Sequence, residues 1–116
     1  MVNVKRVYEP PSRKDGTRIL VERLWPRGIS KERAAIDLWM KQVAPSAELR
    51  RWYGHDLSKW EEFRKRYWEE LKRNKEAVAL LKQQIRMGTV TFVYAARDVE
   101  HNSTVVLRQF LAKQRR

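Results

Sequence analysis

The sequence predicts a small α/β fold: one domain, residues 1–116, with a few-stranded, largely parallel or mixed sheet packed by helices, Rossmann-like in outline. Three observations predict it. Thr89–Ala95, "TVTFVYA", is β-branched and aromatic almost throughout, as expected of a central strand buried on both faces. A long stretch of helical pattern, residues 30–87, separates it from an earlier strand and is ample for the crossover that parallel pairing requires. A chain of 116 residues, 42% of them hydrophobic and five of them tryptophan, can bury one ordinary core.

The elements follow in order. Val2–Tyr8 alternates loosely through Val2, Val4 and Val7 and reads as a strand. "EPPSRKDG", residues 9–16, is a loop closing on an Asp15-Gly16 turn. Arg18–Leu24 is a second strand, which must stop near Trp25 because Pro26 has no N–H for a ladder. Gly28 then permits a sharp change of direction. Ser30 caps a short helix with Glu32 in its first turn, and Pro45-Ser46 opens another that runs to about Tyr53. Ser58 to Glu61 has the S-x-x-E spacing of a capping box. The helix behind it carries a core stripe of Trp60, Phe63, Tyr67 and Leu71. After a break near Asn74 the helical pattern resumes and ends at Gly88. Asp98 is placed to cap the last helix, with Glu100 in its first turn and Val105, Val106, Leu107, Phe110 and Leu111 on its apolar side.

Composition narrows the function classes. Cysteine is absent, which excludes disulfides, thiolate zinc sites and a cysteine nucleophile. With only His55 and His101, no metal site is expected. There is no apolar run of the ~18 residues a membrane helix needs and no apolar signal core in "MVNVKRVYEPP", so a cytoplasmic protein without a membrane partner is expected. The net charge of +12 invites a nucleic-acid reading. The excess is spread along the chain, however, with no basic tail beyond "KQRR" at 113–116, and the same balance describes the charged surfaces of thermophile proteins.

Two turns carry the functional signal. "RLWPRG" follows the second strand and "YAARD" follows the strand at 89–95. In an open parallel sheet, ligands bind outside the carboxyl ends of the strands. Parallel strands would bring both turns to one edge, where Arg23, Arg27 and Arg97 converge beside a helix start at Asp98. Guanidinium groups in that setting suit a phosphate or carboxylate. The candidate ligand-binding residues are therefore Arg23, Trp25, Arg27, Tyr94, Arg97 and Asn102, with Trp25 or Tyr94 stacking on a base or sugar. His55 and Asp98 are the candidate proton carriers. The expected partner is an anionic, phosphate- or nucleotide-like small molecule. The alternatives are nucleic acid, met by a spread basic surface with Trp52, Tyr53 and Trp68, or an acidic protein met by "KQRR" and the basic face.

The segments "DGTRILVERLWPRGISK", "LWMKQVAPSAELRRWYGHD", "WEEFRKRYWEEL" and "GTVTFVYAARDVEHNSTVVL" carry a resemblance over about residues 3–112. In this order they resemble the YeaO-like branch of the family called domain of unknown function 488. The resemblance implies a small α/β fold and a cytoplasmic protein of bacterial or archaeal type, and it implies no activity. Two positions depart from the pattern: Glu22 stands where the family more often has Asp, and Ser103 where a small apolar residue is expected. Other branches carry a cysteine near the last strand, so thiol chemistry does not transfer to this chain. The resemblance favours parallel first and second strands. The connection 9–16 is shorter than a parallel crossover normally is, so the sequence leaves that direction open.

Overall fold

The computed structural model describes residues 2–113, so most of the "KQRR" end lies outside the described residues. Four strands, β1 (Val2–Arg6), β2 (Thr17–Leu20), β3 (Leu38–Trp39) and β4 (Val90–Tyr94), form one sheet in the order β1-β4-β2-β3. Every pairing is parallel. All five residues of β4 are buried, as its uninterrupted apolar run requires of a central strand.

The sheet order resolves the direction of β1. It is parallel to β2, but the two are not neighbours, because β4 lies between them. Residues 7–16 must therefore carry the chain from the end of β1 back past β4 to the start of β2. Ten extended residues reach roughly 33 Å, about twice the length of a five-residue strand. A helix is not needed for that return.

Among the described residues five α-helices complete the fold: α1 (Lys31–Ala34), α2 (Ala47–Tyr53), α3 (Trp60–Arg73), α4 (Lys75–Met87) and α5 (Ser103–Lys113). One face of the sheet packs on the larger helices, burying Ile19, Val90 and Phe92 against Phe63, Tyr67, Leu71, Leu81, Leu107 and Phe110. The expected stripe on α3 is this core, with Trp60 packed at its edge. The other face is covered thinly: Val7, Leu20, Ala34 and Val93 are buried there, with Trp25, Ile29 and Ile36 against them.

Several boundaries differ from the sequence reading, each for a local reason. β2 stops at Leu20, because the pairings to β4 and to β3 both end at that residue. β3 is two exposed residues long and carries no periodicity to betray it. The capping box at Ser58 does not form. Asp56 takes the Ser58 N–H and hydroxyl on its Oδ1 (3.0 and 2.7 Å), and a 3-10 turn, Leu57–Lys59, leads into α3 instead. The caps at Ser30 and Ser46 do form, on the N–H groups of Arg33 and Leu49. The Ser46 hydroxyl also donates to Glu70 Oε2 (2.7 Å), fastening α2 to α3.

The thin face is held by charge. Asp15 and Arg18 are 7% and 3% exposed, yet both are ionic. Arg18 Nη1 donates to Asp15 Oδ2 at 2.7 Å, and Lys5 Nζ of β1 lies 3.2 Å from the same oxygen. The rest of the Arg18 guanidinium donates to the Ala34 and Ala35 carbonyls that end α1. Burial pushes the Asp15 carboxyl up, but the Ser12 N–H, Arg18 and Lys5 outweigh it and hold the group below its ordinary value of 3.8. Gly16 follows at φ 64°, and a Cβ there would sit 2.2 Å from the Thr89 carbonyl oxygen. Both the backbone and the space admit only glycine.

Two expectations follow. Arg18→Met leaves the buried Asp15 carboxylate without its main partner and costs about 3–5 kcal/mol in denaturant unfolding; an unchanged midpoint would contradict the role given to the pair. Because the folded pKa of Asp15 is lowered, its contribution is complete above the ordinary carboxylate pKa and is lost as pH falls through the folded value. The stability gap between wild type and Asp15→Asn should therefore narrow as pH is taken below 3.8, measured by thermal unfolding.

Candidate functional site

From β2 the chain passes over the thin face to α1, whereas from β4 it passes over the opposite face to α5. Two adjacent parallel strands whose continuations part to opposite faces leave a crevice at their carboxyl ends. A cleft of about 800 Å³ lies there.

The two turns form its walls. "YAARD" is pinned from both sides: Arg6 donates to the Ala95 and Ala96 carbonyls (3.2 and 3.0 Å), and the Ala95 N–H donates to Glu22 Oε1 (2.9 Å). "RLWPRG" is tied down through the Arg27 carbonyl, which accepts from the Tyr8 hydroxyl (2.9 Å), and the Ile29 carbonyl, which accepts from the Trp25 indole (2.9 Å). These bonds spend backbone groups and leave the Arg27 and Arg97 side chains exposed.

The structure brings seven of the eight sequence-predicted residues to this cleft: Arg23, Trp25, Arg27, His55, Arg97, Asp98 and Asn102. Tyr94 is buried and is not on the cleft wall. Arg23 lines the cleft but is also a strut, donating to the Pro45 and Ala44 carbonyls (3.2 and 3.3 Å). Arg27 and Arg97 have no such acceptor among the described residues. Arg50 of α2 joins them in the cleft, also without a protein acceptor among the described residues. His55 is exposed, in the left-handed region at φ 59°.

The helix start is not where the sequence places it. α5 begins at Ser103, and Asn102 is its cap: Oδ1 accepts from the Val105 N–H (3.0 Å) and Nδ2 donates to the Asp98 carbonyl (2.9 Å). Asp98 closes a separate turn, its Oδ1 accepting from the N–H groups of Glu100 and His101 (2.9 Å each). Once that carboxylate is committed to residues 100 and 101, it is out of reach as the helix cap. The same N–H groups, and the His101 ring 3.0 Å from Oδ2, hold the Asp98 carboxyl below its ordinary range.

The lining residues that were not sequence candidates for this site include Glu22, Arg50, Tyr53 and His101. Burial pushes the Glu22 carboxyl up, opposed by its bond from Ala95 and by the charge of Arg50. Burial and then the charges of Asp98 and Asp56 push the Tyr53 hydroxyl up, so it stays a neutral donor. His101 could have been found from its D-x-x-H spacing to Asp98, which brings the two together across one turn. Among the described residues no three acidic, histidine or cysteine side chains cluster as a metal would require, and no helix is long and apolar enough to cross a membrane.

The profile of the family described as "Inactive DUF488-N3 subclade" matches residues 1–116. The chain belongs to the DUF488 family. Uncharacterized protein Rv3073c of Mycobacterium tuberculosis is 44% identical, the alignment covering 95% of this chain and 92% of that protein. Uncharacterized protein YeaO of Escherichia coli is 37% identical over 95% of this chain and 96% of its own length. No solved structure matches the chain significantly. The family match spans both turns.

Asn102 gives this wall a direct test. Asn102→Ala removes the α5 cap and should cost about 1 kcal/mol in chemical denaturation, while Asn102→Asp keeps an acceptor and most of that stability. Equal losses in the two variants would contradict the capping role.

Proposed function

We propose that this DUF488 protein binds a small anionic ligand, phosphorylated or carboxylated, in the cleft at the carboxyl ends of β2 and β4. One observation supports the reading above the rest. Three guanidinium groups, Arg27, Arg50 and Arg97, enter one concavity with no protein acceptor for them among the described residues. All three side chains are exposed at the cleft, and a planar guanidinium pairs best with a phosphate or carboxylate, often through two parallel bonds. Binding without turnover suits the subclade's description as inactive. His101, oriented by Asp98, and the Tyr53 hydroxyl then serve as hydrogen-bonding groups toward the ligand.

The nucleic-acid alternative has less to draw on. Arg66 and Lys59 lie over the Trp52 ring, Trp68 packs edge-on against Phe110, and Tyr53 is buried. Those rings are covered rather than open to stack on bases.

Tryptophan fluorescence during titration with inorganic phosphate, a mononucleotide and a short oligonucleotide, at two salt concentrations, tests the proposal. Wild type should bind a small anion saturably. Arg27→Ala with Arg97→Ala should weaken it by at least about tenfold per arginine, the weight of a charged hydrogen bond. Binding of the oligonucleotide alone, steeply weakened by salt and indifferent to the double substitution, would replace the proposal with a spread electrostatic surface.

A further inference from the structure

A carboxyl group does not belong in a site built only for anions, and Glu22 is in this one. It follows β2, lines the cleft together with Arg23, Arg27, Arg50 and Arg97, and is half-buried. Its Oε1 is fixed by the Ala95 N–H at 2.9 Å. Among the described residues no donor reaches Oε2. A carboxylate has about four acceptor sites, and Oε2, to which the described residues bring no donor, is open to whatever occupies the cleft. Glu22 is also not needed to neutralise the arginines by direct pairing, since no ion pair forms between it and any of them among the described residues.

We propose that Glu22 sets the specificity of the cleft, selecting anions that also carry a hydroxyl group able to donate to Glu22 Oε2, and disfavouring bare or alkyl-substituted anions of the same size. The proposal rests on the anion-binding reading above and names its ligand class: hydroxylated phosphoesters or carboxylates. The physical basis is twofold. An O–H···O⁻ bond to an enclosed carboxylate is among the stronger hydrogen bonds a protein offers. An anion that brings no donor meets only the repulsion of Glu22 and leaves Oε2 unpaired, and a site built around a ligand hydroxyl rejects analogues lacking it far more strongly than an apolar pocket rejects a missing methylene.

The test compares glycerol 3-phosphate with propyl phosphate, which share a phosphate and a three-carbon chain and differ in two hydroxyls. Binding is followed by calorimetry or tryptophan fluorescence. Wild type should prefer glycerol 3-phosphate by tenfold or more. Glu22→Gln keeps an oxygen for the Ala95 N–H but turns the second atom from acceptor to donor. It should tighten propyl phosphate and reduce the preference to threefold or less. Glu22→Asp, which restores a carboxylate, should restore preference in part.

Lowering the pH gives a second measurement without a substitution. Burial pushes the Glu22 carboxyl above its ordinary value, so acid that protonates it should collapse the preference in wild type. The two ligands carry the same titrating phosphate, and His55, His101 and Asp98 face both equally. The arginines stay charged throughout. The ratio of affinities therefore reports Glu22.

Equal affinities in wild type, or a preference unchanged in folded Glu22→Gln, overturns the role of Glu22 while leaving the anion site standing. If neither phosphate binds folded wild type, the anion-binding reading itself fails and this inference falls with it.

Discussion

The Asp15–Arg18 ion pair is the constraint on which the rest of the molecule depends. The chain crosses from β1 to β2 with only a single 3-10 turn, Arg13–Asp15, so residues 7–16 must serve as both connection and cover. Apolar burial on that face is small, limited to four buried residues and three partly buried ones. Arg18 compensates by reaching three structures at once: its own strand, the crossover through Asp15, and the end of α1 through Ala34 and Ala35. Lys5 brings β1 into the same cluster. Trp25 packs against this face, so the wall of the cleft rests on it. A buried pair of this kind is a weak source of net stability, but removing one partner is severe, which makes it a device for fixing one arrangement.

The cleft is a consequence of topology. β2 and β4 are neighbours, and their continuations leave for opposite faces, so the opening between them is where the connections part. What chemistry fills that opening is decided by two short turns. Their backbone is consumed by Arg6, Tyr8 and Glu22, which leaves the side chains of Arg27 and Arg97 facing the gap. The backbone of both turns is held by hydrogen bonds, while the Arg27 and Arg97 side chains at the rim have no protein acceptor among the described residues.

Much of this was legible in the residues. β4 announced itself by composition, the α3 stripe by spacing, and the break before α4 by Asn74, whose side chain donates to the Gln42 carbonyl (2.6 Å). The turns "RLWPRG" and "YAARD" were expected at one edge on the condition that their strands run parallel, and the β2–β4 pairing meets that condition. The Asp15–Arg18 pair was illegible: Asp15 reads as a turn residue and Arg18 as the start of a strand, and only the tertiary fold buries them together. The cap of α5 was misplaced because Asp98 and Asn102 are both good cap residues four positions apart, and the choice rests on which N–H groups each can reach. Arg50 was hidden beside Arg51 on its helix, and Glu22 was read as a strand residue because the early end of β2 was not foreseen.

The sheet order also sets when this chain can become a protein. β1 opens the sequence, yet its strand partner is β4, and Val2 pairs with Val90. β2 is made early too, and its longest pairing is likewise with β4. Until Val90–Tyr94 has emerged from the ribosome, the first strand has nothing to pair with and the cleft has only one wall. Completion of the sheet is therefore late and governed by contacts far apart along the chain, and β1 must remain unpaired and unaggregated for most of its synthesis. The charges that crowd residues 5–18 keep that waiting segment in water before they are drawn together under the sheet.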